Sequence, residues 1–273
     1  MSHIKYDMSN DDYHASSAIS RSGLALIGNA PKKYWWKYLS GKAEPENTDA
    51  LRIGSIFHTL VLEPDTFKDR VLIWSGKPRN TKEGKEDYTT ALEQAGNKWL
   101  CKQSEYDDMI LMVNAVKAEP AAKKIIIGTG KIEASIFWTD TETGREVKCR
   151  PDYIKDDGLI LDVKTVASAA PDDFQKSIIN YSYDVQAYMC MEGARRIGID
   201  AKAFVFMCVE KDAPHCTAFY VADETVLASG EARYRKWMTI YDACMKSGNF
   251  PAYGNLIQPI GLPSWYMKGI ENV

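Results

Sequence analysis

PDYIKDDGLILDVK, residues 151–164, places an acid after a proline, then a polar turn, then an acid and a lysine two positions apart in an apolar run. On a strand, Asp162 and Lys164 project from the same face. A charged pair on one face of a buried strand is costly unless it is paired or holds a metal. Lys155-Asp156-Asp157-Gly158 has the chemistry of a hairpin turn. With that turn centred on Asp157, Asp152 and Asp162 lie five residues to either side. They become cross-strand neighbours, with Cβ atoms roughly 4.5–5.5 Å apart.

The same arithmetic works one hairpin earlier. KIEASIFWTD (131–140) and REVKCRPDYI (145–154) are alternating, β-rich runs separated by Thr141-Glu142-Thr143-Gly144, a turn sequence. Centred between Glu142 and Thr143, that turn sets Glu133 opposite Asp152. Glu133, Asp152 and Asp162 then fall side by side across three antiparallel strands, with Lys164 beside the last. Like charges this close repel, and a divalent cation with hard oxygen ligands is the usual remedy. Any one of these acids alone reads as a solvated strand residue. Three converging through two independent turns, with the lysine, read as a metal site. Neutralising Asp162 is then expected to relieve repulsion and stabilise the metal-free protein.

Composition narrows the class. Of 273 residues, 45% are hydrophobic, as in an ordinary globular protein. The net charge of −3 argues against a general nucleic-acid coat protein while leaving room for local DNA contacts. No apolar run approaches the roughly 20 residues of a membrane span, and the N-terminus lacks the apolar core of a secretory signal. The expected location is the cytoplasm, with no membrane partner. The cysteines at 101, 149, 190, 208, 216 and 244 form no C-x-x-C pair and read as reduced, mostly buried thiols. A serine-nucleophile elbow is missing, Gly128-Thr129-Gly130-Lys131 is too short for a phosphate loop, and a multi-histidine zinc site is improbable with only His3, His14, His58 and His215.

Along the chain, residues 1–19 read as an irregular arm. Ser20 or Ser22 caps a helix running to about Leu39, and Thr48 or Asp49 opens another to about Leu62, stopped by Pro64. Residues 82–118 read as an αα-hairpin. Strands are expected at about 131–139, 146–155 and 158–166, then a short helix from Pro171 and a second over about 184–197. Two more strands and a long helix ended by Gly248 follow, and residues 249–273 read as an extended arm. The whole, 1–273, is expected to be a single α/β (α+β mixed) domain, a central mixed sheet flanked by helices. The basic–aromatic stretch at 31–38, PKKYWWKY, reads either as an amphipathic helix with solvated lysines and core tryptophans or as a DNA contact.

Pro151-Asp152 followed by Asp162-Val163-Lys164 resembles the PD-(D/E)XK nuclease signature. Flanking segments resemble the RecE (exonuclease VIII) branch of phage and prophage recombination nucleases: ISRSGLALIGNAPKKYWW (19–36), GSIFHTLVLEP (54–64), EASIFW (133–138), RPDYI (150–154), LDVKT (161–165) and YDVQAYM (183–189). They occur in the family's order from about Ser20 to Met191. The resemblance implies the restriction-endonuclease-like core and a Mg²⁺- or Mn²⁺-dependent 5′→3′ exonuclease on double-stranded DNA ends. Its 3′ tails would pass to a single-strand annealing recombinase, and the enzyme would work as a homo-oligomeric ring, a tetramer by this resemblance.

Glu133, Asp152 and Asp162 would hold the metals, with the Val163 carbonyl and His58 completing the shell, and Lys164 would orient or activate the attacking water. On its own, His58 reads as a core histidine, and Glu63 as a helix-end residue. Gln186 on its own reads as a surface residue; the family places a glutamine there near the scissile phosphate. The family's tyrosine four residues later is Cys190 here. Tyr188, two residues from Gln186, turns about 200° away on a helix, so Gln186 and not Tyr188 is expected to face the acids. The rival readings are an endonuclease or repair nuclease of the same fold, and a non-catalytic DNA-end-binding protein.

Overall fold

The computed structural model describes residues 2–44, 48–126, 128–254 and 257–262. The chain opens with β1 (His3–Lys5), α1 (Asn10–Ala15), α2 (Arg21–Asn29), α3 (Pro31–Tyr34) and a π-helical turn (Trp35–Leu39). Then come α4 (Asp49–Leu62), α5 (Phe67–Arg70), β2 (Val71–Trp74), α6 (Lys82–Ala95), β3 (Trp99–Lys102), α7 (Gln103–Ala118) and α8 (Pro120–Ile126). The central strands are β4 (Gly130–Ile132), β5 (Ser135–Thr139), β6 (Glu146–Cys149), β7 (Tyr153–Lys155) and β8 (Leu159–Val166). After them run α9 (Pro171–Tyr181), α10 (Tyr183–Arg196), β9 (Ala203–Glu210), β10 (Thr217–Val221) and α11 (Glu224–Ser247).

The expected class, a mixed sheet flanked by helices, is the architecture found. Its centre is a five-stranded sheet of order β10-β9-β8-β7-β4, in which β8 and β9 are parallel and the other neighbours antiparallel. β8 and β9 are apolar on both faces because each face meets helices. Ile160, Val166, Phe204 and Phe206 pack with Val185, Met189 and Trp237 of α10 and α11. Leu161, Val163, Val205 and Met207 pack with Ile56, Phe57 and Leu60 of α4 and Met109 and Val113 of α7. This alternation puts Asp162 and Lys164 on the α10 side.

Both turn assignments hold to the residue. Tyr153 pairs Leu161, and Ile136 pairs Cys149, the registers obtained by centring the turns on Asp157 and between Glu142 and Thr143. Gly158, at φ 91°, closes the second turn; a Cβ there would collide with the Asp200 carbonyl. The strands themselves are shorter than expected. The first run breaks at Glu133, whose φ of 47° lies in the left-handed region, and the second at residues 150–152. Each run therefore serves two sheets: β4 and β7 join the large one, while β5 and β6 join β1 in a sheet of order β1-β5-β6.

Three further expectations are corrected. The helix from Ser20 ends at Asn29, because Pro31 lacks an N–H and holds Ala30 in an extended conformation (φ −162°) before α3. Between α6 and α7, β3 pairs in parallel with β2, so these helices are not a simple hairpin. Residues 2–19 lie along the small sheet rather than being irregular: β1 pairs with β5, and Ile19 bridges Val147. Of the expected C-terminal arm, residues 263–273 lie outside the described part. No helix among the described residues is long and apolar enough to cross a membrane.

Lys148 of β6 fastens the N-terminal segment. Its Nζ donates to the carbonyls of Tyr13 and Ser16 at 2.5 and 2.9 Å, and its ammonium lies 4.7 Å from the Tyr13 ring centroid. Burial, reinforced by Arg150, pulls its pKa from 10.5 down to about 8. Below pH 8 the folded protein must hold this charge out of water, whereas the unfolded chain holds it in water. Between about 8 and 10.5 only the folded protein has released the proton, so this group's contribution to stability rises with pH. The melting temperature of the native chain, measured against Lys148→Met at pH 7, 8.5 and 10, should therefore gain steadily on the variant. Parallel curves would show that the site does not penalise the charge.

Candidate active site

β7 leaves the ladder just before the acids. Continuing the β7–β8 register places Pro151 opposite Val163, and a proline has no N–H to offer. The two main-chain groups of Val163 are satisfied by side chains instead. Asp152 Oδ2 accepts from Val163 N–H at 2.6 Å, and His58 Nε2 donates to the Val163 carbonyl at 2.9 Å. His58 comes from α4, whose first turn is capped by the Thr48 hydroxyl accepting from Leu51 N–H. With Nε2 protonated, Nδ1 faces Asp152 Oδ2 at 3.6 Å.

On the other face of β8, Asp162 and Lys164 form a largely buried ion pair at 2.5 Å. Gln186 of α10 donates from Nε2 to Asp162 Oδ1, also at 2.5 Å, while the Lys164 ammonium sits 4.7 Å from the Tyr183 ring centroid. α10 is anchored at its start by Asp184, which pairs with Arg233 of α11 at 2.8 Å and accepts from the Ser229 hydroxyl. Tyr188 points elsewhere, its hydroxyl 3.4 Å from both Glu231 and Arg235. The placement of Gln186 against Asp162 and of Tyr188 away from it follows from their separation on one helix.

Burial drives the Asp152 carboxyl up to about 6; Asp162 adds to the rise, and His58 and Lys164 oppose it. Burial works against the Lys164 charge, yet the attraction of Asp162 and Asp152 carries its pKa above the usual lysine value. Glu133 donates its backbone N–H to the Asp152 carbonyl at 3.0 Å and, with His58, lines a groove of about 670 Å³ beside Met8, Ser9, Asn10 and His14. Arg150 ties that wall down, bonding Ser135 Oγ, Asn10 Oδ1 and the Met8 carbonyl.

A family model for a PDDEXK-like domain of unknown function (DUF3799) matches residues 20–260. The chain belongs to this family. The PDDEXK-like fold is also that of a candidate exonuclease from Eubacterium rectale, whose crystal structure aligns with a TM-score of 0.64 at 16% identity over 93% of this chain and 96% of that one. A phage related exonuclease from Haemophilus somnus 129PT superposes less closely, with a TM-score of 0.35 at 14% identity over 85% of this chain and 96% of that one. No curated protein matches the sequence.

PDDEXK nucleases generally depend on a divalent metal, and the donor set here suits one. Gln186 Oε1 is buried without a hydrogen-bond partner, and Asp162 Oδ2 meets only the Lys164 ammonium. Carboxylates of Glu133, Asp152 and Asp162 with an imidazole form an oxygen-rich set apt for Mg²⁺ or Mn²⁺. The expected closed cluster is nevertheless not preformed: among the described residues no three His, Cys, Asp or Glu side chains surround a common point. Asp162 is engaged by Lys164 and Gln186, and Asp152 by Val163. His58 and the Val163 carbonyl, expected as two separate ligands, are bonded to each other through Nε2, which leaves Nδ1 as the ring's donor atom. Glu63 ion-pairs with Arg70 at 2.7 Å, and Arg70 in turn lines the groove.

Tyr183 escaped the sequence reading although a signal existed, since it lies three residues before Gln186 and so on the same helix face. The Asp162–Lys164 pair also reverses one expectation. Neutralising Asp162 leaves the Lys164 ammonium buried without its partner, an effect that outweighs relief of repulsion with Asp152. Asp162→Asn should lower the stability of the metal-free protein by about 3 kcal/mol, read from urea unfolding in EDTA. An unchanged or higher midpoint would mean that the pair contributes nothing to the fold.

Proposed function

We propose that the protein is a Mg²⁺- or Mn²⁺-dependent deoxyribonuclease, a 5′→3′ exonuclease that shortens double-stranded DNA from its ends and leaves 3′ tails. The observation that carries the reading is Gln186 Oε1, a buried acceptor without a hydrogen-bond partner, set beside the buried Asp162–Lys164 ion pair. A purely structural ion pair would have no use for an unfilled amide oxygen buried beside it. Asp152, Asp162 and Glu133, with His58 Nδ1 at the same edge, would hold the metal. Once bound, the ion would polarise the phosphoryl oxygens and make water a better nucleophile.

The chain's own groups do the rest. Lys164, held by Asp162 and the Tyr183 ring, presents N–H donors and a fixed positive charge toward a phosphate oxygen as negative charge develops there. Gln186, its amide steadied on Asp162, keeps Oε1 available to accept a proton of the attacking water and so orient it. Asp184 and Arg233 hold the helix that carries both Tyr183 and Gln186. The groove between α4 and the N-terminal segment supplies room for a strand.

The 5′→3′ polarity, a single-strand annealing partner and a ring-shaped homo-oligomer rest on the RecE resemblance, while a cytoplasmic location and a single domain rest on composition and element order; the description of the Eubacterium rectale neighbour as a candidate exonuclease agrees with exonuclease action. A linear duplex labelled at either 5′ or 3′ end, incubated with Mg²⁺ or Mn²⁺, tests the polarity. The 5′ label should leave first, and a covalently closed circle should survive. Cutting of the circle would replace this reading by an endonuclease. Lys164→Ala should lower kcat at least ~100-fold, as removal of a donor to developing charge does, with duplex affinity in EDTA nearly unchanged. Gln186→Ala should impair cleavage more than Tyr188→Phe, measured in the same assay.

A further inference from the structure

The basic–aromatic stretch at 31–38 is not a buried amphipathic helix. After Pro31 the backbone takes one short α-turn and then widens into the π turn, closed by Ser40 N–H to the Trp35 carbonyl at 2.9 Å. Tyr34 is buried against Tyr241 and Phe250, whereas Trp36 is left 51% exposed. The chain after α11 returns here, with Lys32 N–H donating to the Pro251 carbonyl at 3.0 Å. Tyr253, 70% exposed, stands alongside. Asn29 accepts from both the Tyr253 hydroxyl and Lys33 Nζ, at 3.1 and 2.7 Å, and the Lys33 ammonium lies 5.5 Å from the Tyr253 ring centroid.

The result is a depression of about 730 Å³ with an apolar floor of Leu26, Ala30 and Ala252, flanked by Trp36 and Tyr253. Lys32, Lys33, Lys37 and Lys42 line it against one acid, Glu44. It shares lining residues, through one intervening depression, with the groove of the candidate active site. His14 lines both the catalytic groove and a second depression of about 430 Å³, and Lys37 lines both that depression and the basic one.

We infer that this depression is a single-strand DNA site, in which bases stack on Trp36 and Tyr253 while Lys32, Lys33 and Lys42 meet the phosphates, joined to the catalytic groove by a path past His14 and Lys37. Two exposed aromatic faces on an apolar floor within a ring of ammonium groups match an unpaired strand, whose bases offer π-faces and whose backbone offers regularly spaced charge. A duplex offers the same charge but keeps its bases stacked away. The inference rests on the nuclease reading for the origin of the strand, one product of shortening a duplex. Its binding chemistry needs no catalysis.

Fluorescence anisotropy of a fluorescein-labelled 12-nucleotide oligo-dT in EDTA tests it. Trp36→Ala should weaken binding about 10-fold, the loss of one stacked base. Lys32→Glu combined with Lys33→Glu should weaken it at least as much and flatten the slope of log affinity against log salt by about 1.4, two phosphate contacts on a single strand. Tyr253→Ala, outside any helix, gives the same reading should either variant melt early. Release of the first 5′ nucleotide from a duplex too short to reach the depression should be unaffected. Unchanged oligo-dT affinity in all variants would overturn the site and leave the nuclease reading standing. An equal loss for a blunt duplex would overturn the single-strand assignment. A change in sedimentation without a change in DNA affinity would make the patch a subunit contact and overturn the inference as well. Patch-dependent oligo-dT binding by a protein that cuts no DNA with Mg²⁺ or Mn²⁺ would uphold the site while removing the nuclease reading.

Discussion

The main chain of Val163 is the point on which the site depends. A buried N–H or C=O left without a partner costs about 1–3 kcal/mol, and the natural ladder partner here is a proline. The proline can donate nothing to the Val163 carbonyl, which the His58 imidazole from α4 meets instead, and the Asp152 carboxylate takes the Val163 N–H. A backbone requirement thereby sets the rotamers of two candidate ligands and ties a helix on one face of the sheet to a strand end. The proline of the motif is thus mechanical, because it ends the pairing at the place where the acids begin.

Electrostatics on the opposite face follow from the same strand. Period-two geometry forces Asp162 and Lys164 onto one side, where α10 and α11 exclude water. There the lysine compensates the aspartate, the Tyr183 ring shares the cation, and Gln186 takes the remaining carboxylate oxygen. Burial is what raises the Asp152 pKa, with His58 and Lys164 opposing it only in part. The two carboxylates differ in their partners, Asp162 within β8 and Asp152 at the break just before β7.

Register was readable from sequence because glycine-containing turns with few alternatives fixed it, and a one-residue slip would have moved every apolar side chain to the wrong face. The helix phase that turns Gln186 inward and Tyr188 outward was readable for a similar reason. Strand ends were not. Nothing in the alternating run 131–139 announces that Glu133 adopts a left-handed backbone, since the periodicity continues on both sides of it. Pro31 did carry a signal, and the apolar spacing across it concealed the break. Hydrogen bonding between His58 and Val163, like the Lys164–Asp162 contact that leaves no closed ligand cluster, depends on side-chain conformations that spacing does not encode. The N-terminal segment, polar and short of apolar periodicity, is held by Lys148 and Arg150 from far along the chain, and local sequence contains no trace of partners so remote.

Glu133 deserves a last consideration as a residue held where its backbone is least at ease. At φ 47° glycine and asparagine are favoured over glutamate, so this position retains an acid against its own conformational preference. Replacement by glycine or asparagine would relax the backbone there and remove the carboxylate. Lineages of this fold that have stopped using the site should drift at this position toward glycine or asparagine sooner than at Asp162, where the buried lysine penalises any change of charge. The residue at this kink would thus serve as a molecular clock for loss of function, readable in sequence before the rest of the site decays.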